Sequence, residues 1–260
     1  MKDISISTSF NYSIPIEEQL PIIKNAGFSH VSIGGNYEHS GIFEERRLEK
    51  LKENLEEYDL KVDTIHGYAM DKSDTYDINS KVVYAANVLN SPIVVLHCSS
   101  FAFNPNTLDE RKRDIDSKIP IFTSLSKGAG IYFSLENVLP GVATDFMESV
   151  LNSTDANHFG FCYDSSHDQI DGPRSFDLLE RQAHRLTAIH LSDRIKELVD
   201  HVTIGEGFID FGKIIDLIKP LNINFPLLME VMMTHSQYKD PKVFLDKTYR
   251  GAENILKCLL

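Results

Sequence analysis

Short apolar runs alternate with helix-length amphipathic stretches eight times along this chain, and that rhythm limits what it can fold into more than any other feature. Residues 4–8 alternate apolar and small polar side chains in strand fashion. Pro15, Glu17 and Glu18 then open an amphipathic helix that Gly27 stops. Residues 30–34 read as the second strand, and residues 43–58 carry Leu48, Leu51 and Leu55 on one helical face. The series continues with strand 62–67, a helix near 79–89, strand 93–98, a helix near 108–127 and strand 131–137. Thr144 followed by Asp145 reads as the N-cap of a helix reaching Leu151; residues 160–164 form the next strand, and Pro173 is expected to start the following helix. Strand 186–191, helix 208–218, strand 226–231 and a closing helix capped by Asp240 and Pro241 complete it.

Eight alternations in 260 residues suit a closed parallel (β/α)8 TIM barrel better than an open doubly wound sheet. The open sheet calls for a glycine-rich phosphate turn after the first strand, and ISISTSFNYS contains no glycine. With 42% hydrophobic residues the chain can bury a large core, and no spacer, low-complexity run or block of like charge divides it. One domain over residues 1–260 is therefore expected. The N-terminal MKDISIST lacks the apolar run of a signal peptide and no segment is long and apolar enough to span a bilayer, so the expected location is cytoplasmic and no membrane partner is expected. Cys98, Cys162 and Cys258 form no close pair and read as reduced structural thiols. A net charge of -12 argues against a nucleic-acid partner, because phosphate binding needs clustered Lys and Arg. A homo-oligomer is compatible with all of this.

Polar residues end most of the strands. Apolar runs finish in His66, His97, Glu136, Asp164, His190 and Glu230. Because side chains alternate across a strand, the residues two positions earlier, Thr64, Val95, Ser134, Cys162, Ala188 and Leu228, face the same way. These are mostly small or β-branched, as suits a barrel interior, and they put the polar set in one layer at the C-terminal rim. A lone His or Glu at a strand end is usually a capped or solvated side chain, and D-x-x-H steps such as Asp164 to His167 are common by chance. Six polar ends on successive strands favour a shared site. Three carboxylates in one mouth repel each other unless a cation or protons intervene. Glu136, Asp164 and Glu230 with the imidazole of His190 make an oxygen-rich ligand set for one divalent ion, Mn²⁺, Mg²⁺, Co²⁺ or Zn²⁺.

The ordered set His66, His97, LEN with Glu136, DSSH with Asp164 and His167, HLSD with His190, H-x-x-I-G-x-G beginning at His201, and finally Glu230 resembles the xylose isomerase-like barrel superfamily. The resemblance covers essentially the whole chain and is strongest over residues 131–231. That superfamily contains sugar and sugar-phosphate epimerases and isomerases, related dehydratases and the type IV apurinic endonucleases. By resemblance to the epimerases, Glu136, Asp164, His190 and Glu230 would hold a single metal, Glu136 and Glu230 would be the catalytic acid/base pair, and His66, His97 and His167 would bind substrate. By resemblance to the three-zinc endonucleases, His66, His97, His167 and His201 would be additional metal ligands. The chain departs from the endonuclease pattern at Val199, where that pattern has an Asp two residues before His201; Asp200 is adjacent, with its side chain expected to point elsewhere.

The favoured expectation is a metal-dependent isomerase or epimerase of a sugar, sugar phosphate or hydroxy-ketone, with Glu136 and Glu230 moving a proton through a metal-stabilised enediolate. A dehydratase begins with the same proton removal. A multi-zinc phosphodiesterase acting on abasic DNA and a non-catalytic sugar-binding barrel are the other readings. Arg194 is a candidate for a substrate hydroxyl or phosphate, and equally for a salt bridge at the rim. Tyr68, Phe101 and Phe103 are candidate pocket walls, and the amides around Gly205 and Gly207 a candidate phosphate turn, although a plain turn is the simpler reading.

Overall fold

The computed structural model describes residues 3–99 and 105–260. Eight parallel strands, β1 (Ile4–Ser7), β2 (His30–Ile33), β3 (Lys61–His66), β4 (Ile93–His97), β5 (Tyr132–Glu136), β6 (Phe159–Asp164), β7 (Leu186–Leu191) and β8 (Leu227–Met229), pair in sequence order. The barrel closes where β8 meets β1, with Ile4 beside Leu227 and Ile6 beside Met229. Between the strands run α1 (Ile16–Ala26), the single-turn α2 (Tyr37–Ser40), α3 (Glu45–Glu57), α4 (Thr75–Val88), α5 (Leu108–Ala129), α6 (Val142–Asn152), the short α7 (Ser165–Asp168), α8 (Asp177–Gln182), α9 (Phe211–Ile218) and the closing α10 (Pro241–Leu259). Among the described residues, no helix is long and apolar enough to cross a membrane.

Strand parity separates two cores, as the sequence implied. Ile6, Val31, Ile65, Val94, Leu96, Phe133, Phe161, Ile189 and Met229 face outward, where they pack with helix residues such as Leu20, Leu51, Val82, Phe122 and Phe244 in one large apolar layer. Val95, Cys162 and Ala188 form a separate small cluster inside the barrel. Three of the six residues expected beneath the polar strand ends make up this cluster.

Three local expectations are corrected. Thr144 does not cap α6. Gly141 occupies the N-cap, while the Thr144 hydroxyl donates to the Leu139 carbonyl at 2.8 Å. Pro173 does not start a helix, because the Gln169 side chain accepts the Arg174 amide at 2.9 Å and holds that segment as a loop until α8 begins at Asp177. β8 is also shorter than residues 226–231. Glu230 lies just beyond it, its amide still bonded to the Leu191 carbonyl at 3.1 Å.

Two bulges lie on opposite sides of the barrel. Val31 pairs with Val62 and Ser32 with Thr64, which leaves Asp63 as an extra residue in β3. Phe161 pairs with Leu186 and Cys162 with Ala188, which leaves Thr187 as the extra residue in β7. Thr187 reaches across β6 to bond the Ser134 hydroxyl at 2.8 Å. Gly160 permits that contact, because a methyl group there would overlap the Thr187 side chain. Asp63 is only 5% exposed, and burial pushes its carboxyl up to about 7 against hydrogen bonds from Ser5 and the Thr64 amide.

A raised carboxyl pKa makes the folded state hold its proton more tightly than the unfolded chain does. Asp63 therefore withdraws stability as pH rises from about 4 through about 7. Relative to Asp63→Asn, the unfolding free energy of the native protein should fall by about 4 kcal/mol across that window. Urea denaturation of both proteins over a pH series checks this, and parallel pH profiles would contradict it.

Candidate metal centre

Glu136 ends β5 at the C-terminal rim, is 1% exposed, and is the point on which the other polar ends converge. His66 Nε2 from β3 and His97 Nε2 from β4 approach its Oε2 at 3.2 and 2.9 Å. His190 Nδ1 from β7 lies 3.1 Å from Oε1, with His167 Nδ1 at 3.6 Å. Glu230, just beyond β8, also reaches His190, its Oε2 2.6 Å from the same Nδ1. Asp164 ends β6 and caps α7, its Oδ1 accepting the His167 amide at 2.6 Å. Its Oδ2 is buried with no hydrogen-bond partner and faces His201 Nε2 at 3.9 Å.

The site draws positive charge to itself. Burial raises the Glu136 carboxyl, but the charges of His190 and His97 and the hydrogen bonds from His190 and His66 outweigh it and hold the group well below the usual range. Burial likewise opposes ionisation of Glu230, and His190 more than offsets it, to about 2. Burial disfavours the His190 imidazolium, yet Cys162, Glu230 and Glu136 lift it well above an ordinary histidine. His201 is similarly raised, to about 9, by Asp200, Asp164 and Glu230 against its burial. Asp164 is pushed up by burial and by the charges of Glu136 and Glu230, against the pull of His167 and His201.

Among the described residues, three overlapping groups of side chains can hold a metal ion: His66, His97 and Glu136; Glu136, Asp164, His190 and Glu230; and Asp164, His167 and His201. The middle group is the set expected from sequence. Its chemistry fits a divalent cation, since three carboxylates need a counter-charge and the orphaned Asp164 oxygen needs a partner.

The supporting residues are mostly ones that sequence reasoning missed. Asn137, directly after Glu136, brackets Asp164 by donating to its carbonyl and accepting its amide, both at 2.9 Å. The Asn137 carbonyl also receives His167 Nδ1 at 2.9 Å, which orients that ring. Ser165 and Ser192 tie the ends of β6 and β7 together in the same reciprocal way. Glu206 accepts from Thr203, the Ser236 hydroxyl and the Gln237 amide, joining the loop after β7 to the loop after β8. Tyr12, after β1, is an aromatic group within electrostatic reach of Glu230.

Arg194 does not offer its guanidinium to a substrate. It is 0% exposed and donates to the carbonyls of Ser166, Lys196 and Glu197 and to Asp200 at 2.9 Å, so it braces the loop from within. Asp200 is turned toward Arg194 and His201 Nδ1, and Val199 supplies only backbone bonds to a tight turn. The Gly205 to Gly207 segment is the plain turn that was the simpler reading, its amides already taken: Asp193 Oδ2 accepts the Gly205 and Gly207 amides at 3.0 and 2.9 Å, and Oδ1 the Arg194 and Ile209 amides. Gly207 has no room for a side chain, since a methyl there would overlap the Arg194 carbonyl and Asp193. Tyr68 has both backbone groups bonded to Asn79; Phe101 and Phe103 lie outside the described residues.

A family model for the xylose isomerase-like TIM barrel matches residues 20–247. The chain belongs to that family. Among solved structures, this xylose isomerase-like barrel is similar to 3-keto-D-glucoside 4-epimerase from E. coli, at 15% identity and a TM-score of 0.80 over 98% of this chain and 100% of that one. It is similar to a D-tagatose 3-epimerase-like protein, at 16% identity and a TM-score of 0.79 over 99% and 98% of the two chains. It is also similar to an IolI protein with a bound zinc atom, at 13% identity and a TM-score of 0.79 over 100% and 99%. At these identities the likeness is one of fold.

Removing the Asp193 carboxylate would strand the buried amides of Arg194 and Ile209 and release those of the exposed Gly205 and Gly207. Asp193→Ala should lower the unfolding free energy by ~3 kcal/mol or more, read by urea denaturation. A loss below ~1 kcal/mol would contradict the anchoring role.

Proposed function

We propose that this xylose isomerase-like barrel is a metal-dependent isomerase or epimerase of a sugar or a related hydroxy-ketone. One observation carries the reading. Glu136 at the end of β5 and Glu230 just beyond β8 reach the same His190 nitrogen, at 3.1 and 2.6 Å. Two carboxylates gathered at one centre from different strand ends would serve as the base and acid pair that proton removal and return at one carbon require. The epimerase chemistry named for two of the similar folds supports the same substrate class.

Glu136, Asp164, His190 and Glu230 would hold the ion. When bound, a divalent cation supplies the charge that eases negative charge onto a substrate oxygen. Glu230, 15% exposed, is the more open of the two acids and is placed to take the α-proton. Glu136, enclosed by four imidazoles, is placed to return it on the other face for epimerisation, or at the neighbouring carbon for isomerisation. His66 and His97, at the half-buried edge, orient substrate hydroxyls, and His167 is held in position for the same task by Asn137. A dehydratase would share the first step and differ only in what leaves. The unpaired cysteines are in keeping with a cytoplasmic location.

The three overlapping ligand groups, with His201 in the third, favour a second reading as a multi-metal phosphodiesterase. Elemental analysis separates the two, with one tightly held ion per chain expected here and two or three for the phosphodiesterase.

Glu136→Gln and Glu230→Gln should each lower turnover by ~10²–10⁴-fold with the fold retained by circular dichroism. Near-normal turnover in either variant would discard the two-carboxylate mechanism. Product formed in heavy water should carry deuterium at the reacting carbon, and full retention of protium would point to a hydride shift instead.

A further inference from the structure

The barrel is also open at its other end. A cavity of about 1020 Å³ enters between the N-terminal ends of the strands, with Asp63, Ile93, Tyr132, Ala188 and Leu228 among its lining residues. Val95 and Cys162, packed with Ala188, lie between it and the carboxylates of the opposite mouth. The cavity is thus separate from the metal centre.

Asp63 is the unusual group in this wall. The β3 bulge places it there, it is nineteen-twentieths buried, and its Oδ1 accepts the amide of the next residue, Thr64, at 2.8 Å, with the Ser5 hydroxyl the other neutral group that steadies its charge. Among the described residues, no Lys or Arg forms an ion pair with it. Arg185, the guanidinium nearest the same opening, is committed to the carbonyls of Leu151 and Phe159 and to Thr154. Glu56, Asp59 and Lys61 line the cavity as exposed groups, whereas Asp63 is buried alongside the apolar Ile93, Ala188 and Leu228. A buried carboxylate is costly unless a cation joins it, and this pairing favours a ligand with a charged head and an apolar body. His30, His184, Glu56 and Asp59 also line the cavity, but among the described residues Asp63 belongs to no group of side chains whose ligand atoms converge as a metal ion requires.

We propose that this cavity is a second ligand site, for a small primary amine whose ammonium group seats on Asp63 while its apolar body lies along Ile93, Tyr132 and Leu228. The charge-assisted bond gives the site its selectivity, and the apolar wall gives it most of its contact area.

The probe is benzylamine, with benzyl alcohol as its uncharged counterpart. Each is titrated calorimetrically into the metal-loaded protein at mildly alkaline pH, where Asp63 is ionised and the amine still protonated. Benzylamine should bind at least ~tenfold more tightly than benzyl alcohol, and Asp63→Asn should erase that preference. Equal affinities in the native protein would overturn the proposal, as would absence of binding by either probe. So would a preference for the amine that survives in Asp63→Asn, which would place it at the carboxylates of the other mouth. The comparison of the two probes on the native protein needs no variant and stands even if the substitution disturbs folding.

Discussion

Negative charge held out of water is the constraint around which this barrel is built. Glu136, Asp164 and Glu230 are all drawn into one mouth, and their repulsion must be met by positive charge or the mouth would open. The protein meets part of the demand with imidazoles: four approach Glu136, and His190 is shared between Glu136 and Glu230. That leaves Asp164 with an unpartnered buried oxygen, the place where protein groups alone do not complete the set. A divalent cation is the natural completion, and it turns a source of instability into a site that can steady charge on a substrate.

Holding such a set needs more than eight strands. Three consecutive seams around the site are tied by polar side chains: Asn137 between β5 and β6, Ser165 between β6 and β7, and Glu206 between the loops that follow β7 and β8. Asp193 gathers four amides and so folds the glycine loop back beneath the rim. Arg194 and Asp200 brace the segment that carries His201. The ligands are consequently placed by rigid strands and the loops between them by fixed polar bonds, which is what preorganisation of a metal site requires.

The barrel and the candidate ligands were legible in the sequence because both follow from periodicity. Alternation along a strand dictates that Glu136 shares its face with Ser134, and Asp164 with Cys162, and the closed sheet then brings those faces together. The bracing was not legible, because it depends on which loops meet in space. Asp193 ends a strand as the ligands do, yet its carboxylate faces amides fourteen and sixteen residues later. Arg194 read as a rim residue and is wholly enclosed, since Ser166, Lys196 and Glu197 turn their carbonyls toward it. The bulges at Asp63 and Thr187 were equally hidden: one extra residue in a strand leaves no mark in a hydrophobic pattern, and only the register of the partner strand exposes it.

The central claim is that side chains from four separate strand ends share one cation. Crystals grown with Mn²⁺ and measured for anomalous scattering test it most directly. The account predicts a single strong peak within ~2.0–2.3 Å of one atom each from Glu136, Asp164, His190 and Glu230. A peak elsewhere, or none at this position with the ion in excess, would contradict it.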